Sequence, residues 1–327
     1  MKVLVTGASG FVGGHLCTAL TKAGHQVFGL VRTPKNTKYD FQVVQGDLSV
    51  KSLEKTISQL PEDLDAVIHT AGIVHSFDKE IFDKINFKGT QDLEKILRKR
   101  YPKLHFIFTS SLAAVGPSKM NEPHTESTPL DPPSLYGQSK KKAEEYLKAD
   151  LPDDWKLTIV RPPMVIGPKD PAILDVFKMV KSRIILGTGI SGMEKQYSFV
   201  CVHDLVEVLL RTLNPSDQKI RTYFPSYPKV VTFKEIIEAI KLEMKVRTIT
   251  LPIPMFIIGT IAHTMALIRK VVPLDFRLTP DKIHELAPKY WCVSSDLSVK
   301  ELDMKYTWNL QETIHITYED YTTRGWI

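Results

Sequence analysis

The feature of the sequence that most constrains the fold is a glycine-rich turn near the N-terminus, in which Gly7, Gly10 and Gly13 follow the apolar residues 3–6. Glycine permits a tight turn and a close approach of the backbone to a ligand. A helix that begins at such a turn directs free N–H groups and the positive end of its dipole toward an anion. We therefore predict a strand–turn–helix unit that binds the pyrophosphate of a dinucleotide.

The first half of the chain alternates short apolar segments with amphipathic segments. The apolar segments predict strands at residues 3–6, 26–31, 42–45, 66–70, 105–109 and 157–161. The amphipathic segments predict helices at residues 13–23, 49–59, 81–101 and 135–149. Because this alternation is typical of βαβ units, we predict an α/β fold with a Rossmann-type doubly wound parallel sheet.

After Gly167 the alternation breaks, and proline and glycine become more frequent. We interpret this part as a smaller, partly interleaved C-terminal substrate-binding region. The predicted Rossmann domain covers residues 1–165, with late elements near 197–212, and the substrate-binding region covers residues 166–196 and 213–327.

Composition narrows the choice of partners and compartment. The net charge is +6, but the lysines and arginines fall in short local runs that are typical of solvated helix faces, so we expect a small-molecule substrate and no nucleic acid. The three cysteines, Cys17, Cys201 and Cys292, are too far apart for a disulfide framework or a metal-ligand motif, and no metal is expected. Met1 leads straight into the first predicted strand, which leaves no room for a signal peptide and predicts a cytoplasmic location.

One segment of the C-terminal region, residues 251–272, is mostly apolar. Pro252 and Pro254 confine its helix to residues 254–270, which is short of the ~20 apolar residues that a bilayer crossing needs. We expect a buried helix or a lid over the substrate. A peripheral membrane contact is the second interpretation and a transmembrane span the third.

A pair of residues with proton-transfer chemistry lies in the fourth predicted helix, where Tyr136 and Lys140 are four positions apart and share one face. A free tyrosine, with a pKa near ~10, exchanges protons poorly at neutral pH. Because a neighbouring ammonium and the positive charge of an oxidised dinucleotide cofactor both favour the phenolate, we expect them to draw the pKa of Tyr136 toward neutrality.

Several blocks accompany the glycine turn and the Tyr/Lys pair. They are Gly46-Asp47-Leu48, His69-Thr70-Ala71-Gly72, Asn86-Phe87-Lys88-Gly89-Thr90 and the stretches 199–205 and 321–326. With these blocks, and with the turn spacing G-x-x-G-x-x-G, the chain resembles the extended short-chain dehydrogenase/reductase family, also called the NAD-dependent epimerase/dehydratase family. The resemblance runs over nearly the whole chain.

The resemblance implies an enzyme that uses a nicotinamide dinucleotide for hydride transfer. Tyr136 would exchange the proton, Lys140 would hold the nicotinamide ribose, and Ser111, with Ser110 as the alternative, would polarise the substrate carbonyl. Asp47 would contact the adenine amino group. The family also implies a homodimer formed through the helices near 81–101 and 135–149. The complete predicted cofactor site is Gly7, Ser9, Gly10, Phe11, Val12, Gly13, Arg32, Lys35, Asp47, Leu48, Thr70, Ala71, Gly72, Asn86, Thr109, Tyr136, Lys140, Pro162, Met164 and Val165.

The end of the second predicted strand bears on the choice between NADP(H) and NAD(H). An acidic residue there would bind the ribose hydroxyls, whereas an arginine accommodates a 2′-phosphate. The sequence has Arg32 and Lys35 and no acid nearby. We therefore favour NADP(H), with NAD(H) as the alternative.

Two positions bear on the substrate. Family members that act on nucleotide sugars commonly carry an Asn and an Arg that contact the diphosphate, and here Met164 and Tyr197 stand in those positions. Because a buried diphosphate needs paired charge, this argues against a nucleotide sugar unless Lys195 or Arg183 substitutes. The run at residues 161–168 instead resembles 3β-hydroxysteroid dehydrogenases and dihydroflavonol-4-reductase-like reductases.

We therefore predict redox chemistry between a ketone and a secondary alcohol on a largely apolar substrate of steroid, flavonoid or β-keto type. One alternative is a nucleotide-sugar epimerase, dehydratase or reductase. The other is a scaffold that binds the nucleotide without chemistry.

Overall fold

The structure, a computed structural model, describes residues 1–35, 38–189, 191–214, 217–268 and 278–327. Its strands are β1 (Lys2–Thr6), β2 (Gln26–Val31), β3 (Gln42–Gln45), β4 (Ala66–His69), β5 (Leu104–Thr109), β6 (Trp155–Val160), β7 (Met164–Ile166), β8 (Ile184–Thr188), β9 (Gln196–Tyr197), β10 (Phe199–Cys201), β11 (Ile220–Tyr223), β12 (Val231–Thr232), β13 (Ile249–Ile253) and β14 (Tyr290–Trp291).

The helices alternate with these strands in the first half of the chain. They are α1 (Phe11–Lys22), α2 (Val50–Ser58), α3 (Glu80–Phe82), α4 (Gly89–Arg100), α5 (Leu135–Ala149), α6 (Leu174–Lys181), α7 (Val202–Arg211), α8 (Phe233–Met244), α9 (Met255–Ile268), α10 (Pro280–Leu286), α11 (Asp296–Leu302) and α12 (Leu310–Thr323), with a π-helical turn at Asp83–Lys88 and 3-10 turns at Leu112–Ala114 and Gly192–Glu194.

The centre of the molecule is a parallel sheet. Within the described residues it has seven strands in the order β11-β6-β5-β4-β1-β2-β3, and each neighbouring pair runs parallel. Helices α2, α4 and α5 contribute to the core on one face of the sheet, and α1 and α7 contribute to the core on the other. The predicted fold class, a doubly wound Rossmann-type sheet, is confirmed.

The sequence predicts the first half of this architecture closely. All six predicted strands and all four predicted helices are present, and their ends differ from the prediction by at most two residues. The predicted helix 81–101 is interrupted by the π-helical turn, which periodicity does not reveal. Strand β11 lies outside the predicted strands, because it has only four residues, Ile-Arg-Thr-Tyr, and some of them are polar. A strand at the edge of a sheet tolerates such a sequence.

The second half of the chain builds smaller sheets around a separate core. Strand β7 pairs with β10, β9 lies between β12 and β14, and β8 pairs with β13. Helices α6, α8 and α12 contribute to one cluster of buried apolar side chains there. Strand β11 lies within the part of the chain that is predicted to be the substrate-binding region, yet it belongs to the central sheet. The division of the chain into two regions stays a prediction.

Helix α9 corrects one expectation. It has no charged residue, yet only Ile258 and Ala262 are buried, while Phe256 is 74% exposed. The interpretation of this segment as a buried helix is therefore wrong, because the packing covers a single narrow stripe of it. Residues 269 and 270 of the predicted helix lie outside the described residues. None of the helices in the described ranges is long and apolar enough to cross a membrane.

The glycine turn joins β1 to α1 at very short range. Gly7 has φ +72°, in the left-handed region that favours glycine. A Cβ atom at Gly13 would lie 2.8 Å from the Gly7 carbonyl carbon and closer still to the Gly7 oxygen. Residue 13 is therefore glycine because the helix contacts the turn backbone directly, as the fingerprint requires.

We predict that Gly13→Ala destabilises the protein by on the order of 3 kcal/mol, because the added methyl group meets backbone that cannot yield. Gly14→Ala is the matched control, since a Cβ at Gly14 would lie 3.7 Å from its nearest neighbour, the Ala8 oxygen. The control is expected to be neutral or stabilising by up to about 1 kcal/mol, from helix propensity alone. Urea unfolding of both variants measures the difference, and equal stabilities would contradict the close contact.

Candidate active site

The predicted site residues gather at one edge of the central sheet. The glycine turn follows β1, Thr70–Gly72 follows β4, and Thr109–Ser111 lies at the end of β5, and these three strands are neighbours. Because parallel strands end at the same edge, these loops lie side by side. In open α/β sheets this carboxyl edge is where ligands bind.

The N-terminus of α1 has the features of an anion-binding site. Its N-cap, Gly10, provides no side-chain cap, and no acidic residue lies in the first turn. Ser9 and Gly10 are exposed, and Phe11 and Val12 are half-buried. The free N–H groups of this turn are therefore available to phosphate oxygens.

The loop after β4 is held against β1. The Thr70 hydroxyl donates to the Thr6 carbonyl over 2.7 Å, and the Ala71 N–H donates to the Thr6 hydroxyl over 3.3 Å. A Cβ on Gly7 would lie within 3 Å of the Ala71 backbone. Thr70 and Ala71 thus form the wall beside the glycine turn, where the predicted cofactor site places them.

Asp47 and Arg32 lie at the opposite end of the same edge. Asp47 is exposed, and its carboxylate accepts hydrogen bonds from the Ser49 N–H at 2.9 Å and the Ser49 hydroxyl at 2.6 Å, which lower its pKa. The positive charge of Arg32 contributes to the same lowering. Arg32 and Lys35 are both exposed after β2, so their charges face outward to solvent or ligand. Leu48 packs against Gly89 at the start of α4.

Tyr136 and Ser111 meet across the gap between α5 and the end of β5. The Ser111 hydroxyl lies close enough to the Tyr136 phenol to lower its pKa, and Ser111 also caps the 3-10 turn by accepting from the Ala113 N–H at 3.1 Å. Burial is the main cause that raises the pKa of Tyr136 to about 12, while Ser111 acts to lower it and the nearby carboxylate of Glu285 acts to raise it. The protein groups by themselves do not draw this pKa toward neutrality, because desolvation outweighs the other effects. The expectation that Lys140 and an oxidised cofactor lower it together stays a prediction.

Lys140 is buried beside this pair. Its ammonium donates to the Thr109 carbonyl over 2.8 Å and lies 4.8 Å from the centre of the Phe108 ring. Burial lowers the pKa of Lys140 to about 8, while the Glu144 carboxylate one turn further along α5 acts in the opposite direction. Thr109 carries a buried hydroxyl for which the described residues provide no hydrogen-bond partner.

Asn86 lies in the π-helical turn and connects the β4 loop to α5. Its amide accepts from the Ile73 N–H at 2.8 Å, donates to the Ile73 carbonyl at 2.9 Å and donates to the Ser139 hydroxyl at 3.0 Å. A Cβ at Gly72 would lie 3.0 Å from the Asn86 oxygen and 3.4 Å from the Lys140 nitrogen. The geometry gives Asn86 a positioning role, with Gly72 leaving room for Lys140. π-Helical turns often occur at functional sites for this reason.

Ser110 and Ser111, which the sequence leaves as alternatives, differ in their partners. The Ser110 hydroxyl is buried and donates to Glu144 over 2.6 Å. Arg161, only 2% exposed, also binds the Glu144 carboxylate, with its shortest contact at 2.6 Å. The geometry favours Ser111 as the substrate-facing residue, because Ser110 belongs to a buried network behind the site.

Sequence reasoning missed the contribution of α10. Its Asp281 accepts from the Leu135 N–H at 2.8 Å, and its Glu285 accepts from the Ser134 hydroxyl at 2.7 Å, both at the start of α5. Thr279 followed by Pro280 and Asp281 is a recognisable helix start, but nothing in the sequence indicates what that helix contacts. α10 therefore brings a carboxylate close to Tyr136 from about 150 residues away along the chain.

The remaining predicted residues lie along the strands after β6. Pro162 is buried and its carbonyl accepts from the Leu112 N–H at 2.9 Å, while Met164 and Val165 begin β7 and are half-buried. Tyr197 packs against an apolar cluster that includes Leu112. Lys195 donates to the carbonyls of Leu286 and Ala287 at the end of α10, so its charge is already engaged.

These residues fit a dinucleotide along the sheet edge. The uncapped start of α1 suits the pyrophosphate, the exposed Asp47 and Arg32 suit the adenosine half, and the unpartnered Thr109 hydroxyl and the buried Lys140 ammonium suit polar groups of the nicotinamide half. The Lys140 ammonium donates to the Thr109 carbonyl and can donate two further hydrogen bonds. The residues present therefore offer donors of the kind that the polar groups of a dinucleotide accept from.

Comparisons with known proteins agree with this arrangement. A model of the NAD dependent epimerase/dehydratase family matches residues 3–223. Ceramide reductase of Caulobacter vibrioides is 31% identical over 188 residues, which cover 56% of this chain and 52% of that protein, so the match spans about half of that relative's length. A putative UDP-glucose 4-epimerase of Methanocaldococcus jannaschii is 29% identical over 75% of this chain and 83% of that protein.

Among solved structures, UDP-glucose 4-epimerase of Thermus thermophilus in complex with NAD has the same fold, with a TM-score of 0.77 at 22% identity over 98% of this chain and 99% of that one. The family model runs from β1 to the end of β11, through every strand of the central sheet. The chain therefore belongs to the NAD-dependent epimerase/dehydratase family, the extended short-chain dehydrogenase/reductases, which are enzymes that use a nicotinamide dinucleotide.

Proposed function

We propose that the protein catalyses hydride transfer between NADP(H) and a ketone or secondary alcohol on a largely apolar substrate. The observation that carries this proposal is the closeness of the Ser111 hydroxyl to the Tyr136 phenol, with the Lys140 ammonium buried next to them at the carboxyl edge of the sheet. When bound, the nicotinamide supplies or accepts the hydride. The protein groups bind, orient and protonate.

Tyr136 is the residue that moves the proton. Since burial and Glu285 hold the pKa of Tyr136 high, the protein groups keep the phenol protonated, and a protonated phenol suits donation to a ketone oxygen. Ser111 directs a second hydroxyl to the same oxygen and so stabilises the charge that develops on it. Lys140 provides the positive charge that stabilises the phenolate after the proton has left.

The substrate class rests on the missing diphosphate anchors. Met164 and Tyr197 stand where nucleotide-sugar enzymes commonly carry an Asn and an Arg, and Lys195 is engaged by the end of α10. The other cation considered, Arg183, is exposed just before β8, and its side chain is free to contact solvent. A lipid-like ketone is also supported by the name of the Caulobacter relative, ceramide reductase.

A nucleotide-sugar reaction is the second candidate. It is favoured by the Methanocaldococcus relative, a putative UDP-glucose 4-epimerase that aligns with three quarters of this chain. The two candidates differ in the charge of the substrate, since a UDP-sugar carries a diphosphate that must be paired or solvated. A panel of sterol, flavonoid, β-keto and nucleotide-sugar compounds separates them, when each compound is incubated with NADPH, NADP+ or NAD+ and followed both by cofactor absorbance and by product analysis, because an epimerase consumes no net cofactor. Turnover of nucleotide sugars alone would replace the first proposal with the second.

We predict that Tyr136→Phe reduces turnover of the best compound in this panel by a factor of about 100 or more, because the proton donor is lost. Binding of the dinucleotide, followed by fluorescence titration, is expected to change little. Tyr146→Phe is the control on the same helix, because its hydroxyl donates to Glu94 at 2.8 Å and has no part in the proposed chemistry. Full turnover in Tyr136→Phe would contradict the assignment.

For the cofactor, we predict that Arg32→Asp weakens NADPH binding by about 10- to 100-fold, because a charge-assisted hydrogen bond to the 2′-phosphate is replaced by repulsion. NADH binding is expected to stay the same or to strengthen, since an acid at this position can bind the ribose hydroxyls. Lys103→Asp, which changes the same charge at an exposed position after α4, is the control. A preference for NADH in the parent protein that Arg32→Asp leaves unchanged would exclude the proposal.

The burial of Lys140 predicts a pH-dependent stability. Its pKa is lowered from 10.5 to about 8, so between these values the unfolded chain binds more protons than the native state, and this residue's contribution to stability rises with pH. Below pH 8 the full cost of the buried charge is present. We expect cofactor-free Lys140→Met to be more stable than the parent by on the order of 2 kcal/mol at pH 7.

The difference should shrink as the pH rises from 8 toward 10, and urea unfolding at several pH values measures it. Lys142→Met is the control, because its ammonium is about half-exposed and pairs with Asp83 at 2.6 Å. A stability difference that grows with pH would show that Lys140 is not the destabilised cation described above.

A further inference from the structure

Three elements of the C-terminal region expose an unusual amount of apolar surface. Nine of the sixteen exposed large apolar side chains in the described part of the chain lie in β8, β13 and α9. They are Ile184, Leu186, Ile249, Leu251, Phe256, Ile257, Ile261, Leu267 and Ile268. We call this surface the apolar face. Contiguous exposed apolar surface on a folded protein marks a place where something binds.

The pairing of β8 with β13 places apolar side chains together. The register sets Ile184 beside Ile249 and Leu186 beside Leu251, and paired residues of parallel strands point to the same side. All four are 44–70% exposed, whereas Ile185, on the opposite side of the ribbon, is fully buried. The opposite side of β8 thus anchors the ribbon to the protein, whereas β13 is exposed on both sides, and the outer side of both strands presents aliphatic groups.

Helix α9 continues this surface. Its fourteen residues contain no Asp, Glu, Lys or Arg, and the helix is apolar around nearly its whole circumference although only one stripe is buried. A helix of this kind is normally enclosed in a core or in lipid. At about 1.5 Å per residue it is roughly 21 Å long, too short to cross the ~30 Å hydrocarbon core.

The charges near the ribbon are mainly positive. Lys178, Lys181 and Arg183 precede β8, and Lys245 and Arg247 precede β13. The nearest acids along the chain are Asp175, Glu194 and Glu243, and the Glu243 carboxylate already binds Gln311 and His315. The five basic residues are all exposed. Because β8 and β13 run parallel, Arg183 and Arg247 lie at the same end of the ribbon. The apolar face therefore has a basic rim at one end.

We infer that the apolar face docks on the surface of an anionic lipid bilayer, with α9 and the outer side of the ribbon in the interface and the basic rim against the headgroups. Apolar burial and attraction of lysine and arginine to anionic lipid are the two contributions that hold a protein in this way. A second copy of this chain is the alternative occupant, and any symmetric contact that brings the two basic rims together would be opposed by their like charge. The homodimer helices that the family implies, α4 and α5, cover a different part of the molecule.

The apolar face is also connected to the candidate active site. Helix α9 packs against α10, and α10 binds the start of α5 through Asp281 and Glu285. Docking would thus place the elements beside Tyr136 close to the lipid. The inference does not depend on the reaction, because it rests on surface residues that lie outside the reactive group.

Vesicle flotation tests this inference. The parent protein should float with vesicles of phosphatidylcholine and phosphatidylglycerol, bind pure phosphatidylcholine more weakly, and lose affinity as salt is raised. Leu251→Ser and Phe256→Ser should each weaken binding by about tenfold or more. Arg183→Glu should weaken it by at least about fivefold on the anionic vesicles and have little effect on the neutral ones.

Val299→Ser is the matched control, because Val299 is 43% exposed on α11, away from the apolar face, and should bind vesicles like the parent. Retained dinucleotide binding shows that each variant is folded, and Phe256→Trp gives a second measurement, a blue shift of the added fluorescence on vesicles. Tyr136→Phe should float like the parent, which separates this inference from the proposed reaction. Absence of flotation, an equal loss in Val299→Ser, or a dimer that Phe256→Ser dissociates without any vesicle binding would each overturn it.

Discussion

The buried carboxylate of Glu144 joins the elements that shape the candidate active site. It lies on α5, accepts a hydrogen bond from Ser110 at the end of β5, and forms an ion pair with Arg161 at the end of β6. Tyr136, Lys140 and Glu144 follow one another at four-residue spacing, so they form one stripe along the helix. Removal of either partner of a buried ion pair leaves an uncompensated charge and typically costs ~3–5 kcal/mol. The contact with Arg161 therefore fixes the rotation of α5 about its axis and its position along the sheet.

That placement has an electrostatic cost at the reactive end of the stripe. Burial disfavours the charged forms of both Tyr136 and Lys140, raising the pKa of the phenol and lowering that of the ammonium. The neighbours then act on each group separately, Ser111 and Glu285 on the phenol and Glu144 on the ammonium. The protein groups alone therefore favour a neutral Tyr136 phenol, which can donate a proton, beside a Lys140 ammonium that loses its proton more easily than a free lysine does. The positive charge of an oxidised nicotinamide would favour the phenolate.

Two neighbouring helices of the C-terminal region, α9 and α10, differ in what they contact. α10 is tied to α5 because Asp281 and Glu285 accept hydrogen bonds from the start of α5, and Lys195 donates to the end of α10. α9 packs against α10 but keeps most of its apolar circumference exposed. One helix thus completes the surroundings of Tyr136, and the next provides the surface that we assign to lipid.

The sequence by itself determined the order of strands and helices in the first half of the chain, the glycine turn and the Tyr136/Lys140 pair, because each of these is a local pattern with a fixed period or spacing. The resemblance to the family pointed to Ser111, with Ser110 as the less favoured alternative. The tertiary structure shows how the two hydroxyls differ, since Ser110 donates to Glu144 behind the site and Ser111 lies beside Tyr136. It also decided the seventh strand, the contact of α10 with α5, and the sign of the pKa change at Tyr136. These depend on burial and on residues about 150 positions apart, which a local pattern cannot show.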